Sequence, residues 1–410
     1  MSCRRRNLPL GEANPKELGD LEVPLYECTG KTYSIVEFVD KHKHLLNECE
    51  EALADENRGW LAQMSIPEDL RTCMTRSVEF ASTKAHVLTA KRSGGRSAYC
   101  VDRKLKLKGC RPVLDGADYP IEILHFGDER IRYERIPFGT MKAESVVREI
   151  LAYCFLKSND LAVHSIPICV YEYSLGGDSF GCCLVSETKG EVRIEEFIEY
   201  PNCTVEDIVN AHASGHQVMA GCAIGSELSL RDIDIWWYVE QKSRFLSMMH
   251  FKGGFRGILN SNIGNDVVVN GENDEHQLYL CDFDTFRIVP IPDKPDMSFL
   301  RGFVLQCMVE VAKGSLSILE YVDFGADCTY LQIADALGEV YFKKSSLWHS
   351  YKRQFYIRAE QRRWDLDSVN EAFRVMGKTE AFASILCSCV LNSHYVSTLS
   401  AKRSTFYPHN

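Results

Sequence analysis

Long apolar runs are missing from this chain. No stretch approaches the ~18–20 residues that a membrane-spanning helix needs, so no membrane span is expected. Cys-x-x-Cys pairs are missing too, although there are 17 cysteines; the nearest pairs are Cys182-Cys183 and Cys387-Ser-Cys389. Zinc-ribbon spacing is therefore absent, and an odd, scattered set in a long chain does not describe a small disulfide scaffold. The expectation is buried thiols in a reducing compartment, cytoplasmic, with a mitochondrial location as the alternative. Positive charge is in deficit: 47 Lys and Arg against 57 Asp and Glu leave a net charge of −10. That argues against a generic binder of nucleic acid or anionic membrane. The opening Met-Ser-Cys-Arg-Arg-Arg has no apolar core behind it, so a secretory signal is not expected. Internal repeats and long low-complexity segments are also lacking.

What remains is ordinary globular composition, 45% apolar and 25% charged, in 410 residues, enough for two or more lobes with a proper core. Residues 1–33 read as an extended leader. Ser34 reads as the cap of a helix running to about residue 54, with more helical pieces over 57–80. From residue 85 the pattern turns to strands, at 86–89, 97–101 and 104–108. Lys104-Leu-Lys-Leu-Lys108 alternates as a half-exposed strand does. Between strands lies Gly94-Gly95-Arg96. Glycines let backbone approach phosphates and a nearby lysine meets their charge, although a Gly-Gly turn alone is more often a plain hairpin.

Residues 109–138 look irregular, with one strand at 130–136. A helix is expected over 142–158, where Val147, Leu151, Cys154 and Phe155 share a face and Glu149 lies off it. Spacing alone makes Glu149 a solvated helix charge. Strands follow at 166–173 and 180–186, and the segment Val192-Arg-Ile-Glu-Glu-Phe197 comes after them. Past residue 200 the chain turns helical, at 231–250, 298–313, 331–342, 345–363 and 366–390.

The most informative stretch is Leu278-Tyr-Leu-Cys-Asp-Phe-Asp284. A short apolar strand ends abruptly in two carboxylates, which are costly at a buried strand end unless a cation meets them. Before it lies the carboxamide-rich Gly257-Ile-Leu-Asn-Ser-Asn-Ile-Gly-Asn-Asp266. Helix, Asn-bearing loop, strand, Asp-Phe-x is the order of the catalytic half of protein-kinase-like folds.

On these motifs the chain resembles the selenoprotein O family, protein-kinase-like proteins that transfer AMP from ATP to protein side chains. Gly94-Gly-Arg-Ser-Ala98 is similar to the family's Gly-Asp-Gly-Arg-Ala, and Leu105-Lys-Leu-Lys-Gly109 to its Leu-Gln-Leu-Lys-Gly. Val147-Arg-Glu-Ile-Leu151 is similar to Ile-Arg-Glu-Phe-Leu, with Gly139 at the family's spacing before it. Val192-Arg193 with Phe197 resembles a segment whose arginine contacts phosphate, and Asp282-Phe-Asp resembles Asp-Tyr-Gly. The resemblance covers roughly residues 85–290. It implies that Gly94, Gly95, Arg96, Lys108, Gly139, Glu149 and Arg193 bind ATP. It further implies that Asp282 with Asn262 or Asn265 holds Mg2+ or Mn2+, and that the catalytic group lies among Asn262, Asp282 and Asp284. Two departures stand out. The family's base carboxylate falls on Asn262, which cannot accept a proton as a carboxylate does, leaving Asp266 or Asp284 as substitutes. The family's first phosphate arginine falls in Ser186-Glu-Thr-Lys189, where there is no arginine.

The expected fold is α+β, protein-kinase-like and bilobal. A leader and helical extension (1–84) would precede a β-rich N-lobe (85–198) and a helical C-lobe (199–410). The expected function is an ATP- and Mg-dependent transferase moving AMP or phosphoryl to a protein or small-molecule acceptor. The alternatives are a catalytically weak pseudokinase acting as a nucleotide-binding or scaffold protein, and a divergent kinase of small molecules or lipids.

Overall fold

The computed structural model describes residues 30–46, 59, 61–62, 91–93, 97–100, 105–109, 118–124, 131–137, 140–176, 179–188, 235–258, 260–261, 265–270, 276–315, 338, 341–343 and 345–391. In chain order, β1 (Gly30–Ser34) leads into α1 (Ile35–Lys41), and β2 (Lys91–Ser93), β3 (Ser97–Cys100) and β4 (Leu105–Lys108) follow. Next come β5 (Asp118–Leu124), β6 (Ile131–Pro137), α2 (Ala143–Ser158), β7 (Ser165–Gly176) and β8 (Ser179–Thr188). The helical part holds α3 (Ile235–Phe251), α4 (Met297–Lys313), α5 (Ser346–Gln361), α6 (Leu366–Met376) and α7 (Glu380–Leu391). Between α3 and α4 lie the short strands β9 (Gly254–Phe255), β10 (Asp266–Asn270), β11 (His276–Leu280) and β12 (Arg287–Ile288). The fold is mixed, α+β.

Six strands form one antiparallel sheet in the order β1-β7-β8-β4-β3-β2. β7 and β8 pair antiparallel from Ser165 opposite Thr188 to Gly176 opposite Ser179, with register shifts between Pro167 and Cys169 and between Ser174 and Gly176. Their β-branched and aromatic residues suit a pleated surface covered on one side. β4 was expected to be half-exposed. Instead all four of its residues are buried, Lys106 and Lys108 included. Alternation in the sequence does not mean alternation in solvent when a lysine such as Lys108 has carboxylates to meet. The segment read as an extended leader supplies β1, which pairs with β7 at the sheet edge.

Helix α1 carries the expected cap: Ser34 accepts from the Glu37 N–H and the Glu37 carboxylate accepts from the Ser34 N–H. It ends at Lys41, well short of residue 54. The stretch 109–138, expected to be irregular, contains the β5–β6 hairpin. The expected helix over 366–390 is two helices broken after Gly377, whose missing Cβ would sit 3.1 Å from the Phe342 ring. The strand at 86–89 and the segment 192–197 lie outside the described residues.

Helix α2 packs against β7 and β8, and its Val146, Val147, Ile150, Leu151 and Cys154 are buried. One continuous apolar core runs from there into the helices. At the seam Phe155 meets Phe286 at 5.3 Å between ring centres. The buried thiols of Cys154 and Cys182 are pushed up to about 12 by burial. Cys307 in α4 is raised as well, for the same reason. Among the described residues no helix is long and apolar enough to cross a membrane.

Candidate functional site

Four charged side chains from three separate elements meet at this seam. Lys108 ends β4. The chain then turns at Gly109, φ +91°, where an added Cβ would lie 2.2 Å from the Cys182 carbonyl oxygen. Only glycine fits so tight an exit. The Gly109 carbonyl accepts from the Tyr173 hydroxyl at 2.6 Å, and Tyr173 bonds Thr140 at 2.6 Å. Met141 bridges to Cys182 in β8. Together these fix where α2 begins, and so where Glu149 points.

The Lys108 ammonium pairs with Glu149 and with Asp282, and lies 3.6 Å from Asp284. Glu149 is thus an ion-pair partner with a side chain only 12% exposed, not a solvated helix charge. Its carboxylate also accepts from the Phe283 N–H at 3.0 Å, while Arg148 donates to the Phe286 carbonyl at 2.9 Å. Helix α2 is thereby fastened to the turn after β11. Burial pushes the Glu149 carboxyl up; Lys108 opposes this, and Asp282 and Asp284 add to it. Three carboxylates around one ammonium leave a formal charge of −2, which favours a cationic ligand.

Asp282 adopts φ +68°, an unusual value for a residue with a Cβ. Such backbone strain persists where the surroundings impose it, and here Glu149 holds the next N–H. Asp284, 4% exposed, lies deeper. Its Oδ1 accepts from the Asn260 amide at 2.6 Å, and the same amide donates to Thr285 Oγ1 at 3.0 Å. The Asn265 amide donates to the Asn260 carbonyl at 3.2 Å.

A second charged layer lies beneath. Asp266, fully buried, accepts from Arg256 at 3.0 Å and from Tyr238 at 2.7 Å, and pairs with Lys242. Arg256 also donates to the carbonyls of Asn265, at 2.6 Å, and Cys281. Burial lowers the Lys242 pKa and raises that of Tyr238. Next to this layer, Glu310 accepts from the Gly257 N–H at 2.7 Å and Gln306 at 3.0 Å, and contacts His250 at 3.0 Å. Burial pushes the Glu310 carboxyl up, but these bonds outweigh it and the net shift is downward. Two buried networks therefore hold the Asn-bearing loop. Asp266 is spent within one of them and is no substitute base.

Of the residues singled out by sequence, the structure brings Lys108, Glu149, Asp282 and Asp284 together, with Asn265 one residue removed through Asn260. Gly94, Gly95, Arg96, Gly139, Arg193 and Asn262 lie outside the described residues. Sequence reasoning missed Asn260. The signal was there: Asn260 precedes Asn265 by five residues, the spacing of Asp and Asn in protein-kinase catalytic loops, with an amide in place of the first carboxylate. Among the described residues no group of three or more His, Cys, Asp or Glu is arranged to hold a metal by itself. A Mg2+ site completed by substrate phosphates needs only one or two protein carboxylates, which Asp282 and its neighbours can provide.

No protein-family model and no curated protein matches the chain. Among solved structures it is similar to WaaP, from a complex described as WaaP with acyl carrier protein. Identity is 13%, covering 70% of this chain and 87% of that one, with a TM-score of 0.30. At that score the likeness carries no argument. These comparisons do not show the selenoprotein O family, and that resemblance rests on the motifs.

Proposed function

We propose that the chain is an ATP- and Mg-dependent transferase of bilobal, protein-kinase-like architecture, with a β-rich lobe over 85–198 and a helical lobe over 199–410. It would move AMP or phosphoryl to a protein or small-molecule acceptor. The observation that carries the reading is the meeting of Lys108, Glu149 and Asp282, from a strand, a helix and a post-strand turn, at one point on the seam. A strand lysine held by a helix glutamate, facing a strand-end aspartate, is the arrangement kinases use on phosphates.

In this reading Lys108 neutralises phosphate oxygens and Glu149 orients it. Asp282, with Asn265, would hold the divalent cation, which supplies charge neutralisation of the phosphates when bound. Buried carboxylate groups summing to −2 with Lys108 suit such a partner. Phosphoryl and nucleotidyl transfer ask mainly for positioning and charge neutralisation, so an amide in the loop does not by itself forbid turnover. That same amide, Asn260, favours the second reading, a nucleotide-binding pseudokinase.

Incubation with α- and γ-labelled ATP and Mg2+ separates the readings. AMP transfer retains the α label on the acceptor and phosphoryl transfer the γ label, while a pseudokinase transfers neither yet still gains thermal stability with Mg-ATP. Asp282→Ala is expected to abolish the Mg-ATP-dependent rise in Tm. A full rise in that variant, or none in the wild-type chain, would sink the proposal.

A further inference from the structure

The Asn260 side chain fits its surroundings in one sense only. Its amide nitrogen faces Asp284 Oδ1 at 2.6 Å and Thr285 Oγ1 at 3.0 Å. The Thr285 hydroxyl proton is already committed, donated to the Arg256 carbonyl at 2.8 Å. Both partners therefore act as acceptors, and only an NH2 group can stand between them. Flipping the amide would turn its oxygen on a carboxylate. Asn260 is 1% exposed, so no solvent would relieve the error. Gly257 belongs to the same assembly: an added Cβ there would lie 2.4 Å from Thr285 Oγ1. The result for Asp284 is directional. With Oδ1 engaged by Asn260, its Oδ2 is the atom turned to the Lys108 ammonium, 3.6 Å away.

We propose that Asn260 is a positioning residue of this site, matched to Asp284: its amide holds the Asp284 carboxylate toward Lys108, and the site requires an amide, not a carboxylate, at 260. The inference rests on the nucleotide reading above. It gives the loop asparagine a task in place of a lost base, because the carboxylate of this corner comes from the Asp-Phe-Asp turn. A carboxylate at 260 would face another carboxylate at hydrogen-bond distance, which like charges oppose.

Thermal unfolding with and without Mg-ATP, on the full chain, tests the proposal with Asn260→Asp, Asp284→Asn and the double exchange. Asn260→Asp is expected to lower the ligand-free Tm and to lose the Mg-ATP-dependent rise. The double exchange restores an amide facing a carboxylate, so it regains part of the ligand-free Tm lost in Asn260→Asp. The rest stays lost, because Thr285, whose proton goes to the Arg256 carbonyl, then faces a carboxylate oxygen. The double exchange does not regain the Mg-ATP-dependent rise, because the group facing Lys108 is now neutral. A bond of purely structural value would lower the ligand-free Tm in Asn260→Asp yet leave its Mg-ATP-dependent rise in place. A wild-type rise in Asn260→Asp, or full recovery in the double exchange, overturns the proposal. Should Asn260→Asp not fold, Asn260→Ser removes the amide without adding charge. A weakened rise there supports the proposal and an unchanged rise overturns it. Absence of any rise in the wild-type chain would instead overturn the nucleotide reading, and the role of Asn260 with it.

Discussion

At the scale of single residues, the site depends on which charges are shared. Lys108 faces three carboxylates, so removing it leaves them crowded in a nearly buried corner. Lys108→Met is expected to lose Mg-ATP stabilisation and to lower ligand-free stability, measurable in one urea titration with and without Mg-ATP. Glu149→Gln retains the shape and an acceptor for the Phe283 N–H. It is expected to fold normally and to weaken Mg-ATP binding about tenfold or more, since a charge-assisted bond to Lys108 becomes a neutral one. Isothermal titration would check this. These residues were legible in the sequence because each sits in a short motif of fixed spacing. Glu149 was legible through its motif only; its helical position suggested a surface charge. Asn260 was not legible from the family loop, which pointed two residues later. What marks it is a hydrogen-bond partner 24 residues downstream, and no local pattern carries that.

At the scale of elements, the Asn-bearing loop is held by its backbone. Gly257, at φ +89°, hands its N–H to Glu310 and leaves room for Thr285. Gly257→Ala is expected to cost about 2 kcal/mol or more, from the left-handed backbone and the contact with Thr285. Urea denaturation would measure it, and the Mg-ATP-dependent rise should fall with it. The long helices were legible from their apolar residues: α5 buries one face on the common core, while 150–156 of α2 and 303–312 of α4 are buried all round. Strands were less so. β4 read as half-exposed because its lysines alternate, and nothing local records the acidic partners that bury Lys108. β5 and β10 were missed because a hairpin partner decides them, and pairing is a non-local property. The break between α6 and α7 was missed for a similar reason. It is made by Gly377 against Phe342 and by Thr379, whose side chain accepts from the Phe382 N–H at 3.4 Å.

At the scale of the whole molecule, buried charge ties the sheet to the helices. Asp266→Ala would leave Lys242 and Arg256 buried beside each other without their carboxylate, an expected loss of about 3–5 kcal/mol. Glu310 sets a pH dependence. Its folded-state pKa lies below the ordinary carboxylate value, so its contribution is fully present above that value and is lost as pH falls through the depressed one. Glu310→Gln should therefore destabilise by about 1–3 kcal/mol at pH 7, with the deficit shrinking in strongly acidic buffer. Glu149 works in the opposite sense: its raised pKa favours the folded state at low pH and costs stability as pH rises through it.

The buried thiols carry one more consequence. Cys182 lies in the sheet, Cys154 on α2 and Cys307 in α4, and burial keeps all three protonated and slow to react in the native state. Alkylation timed at each position would therefore act as a set of clocks for local opening. If the three clocks run at one rate, the protein breathes as a single cooperative body. If Cys307 lags the other two, the sheet and its helix loosen first.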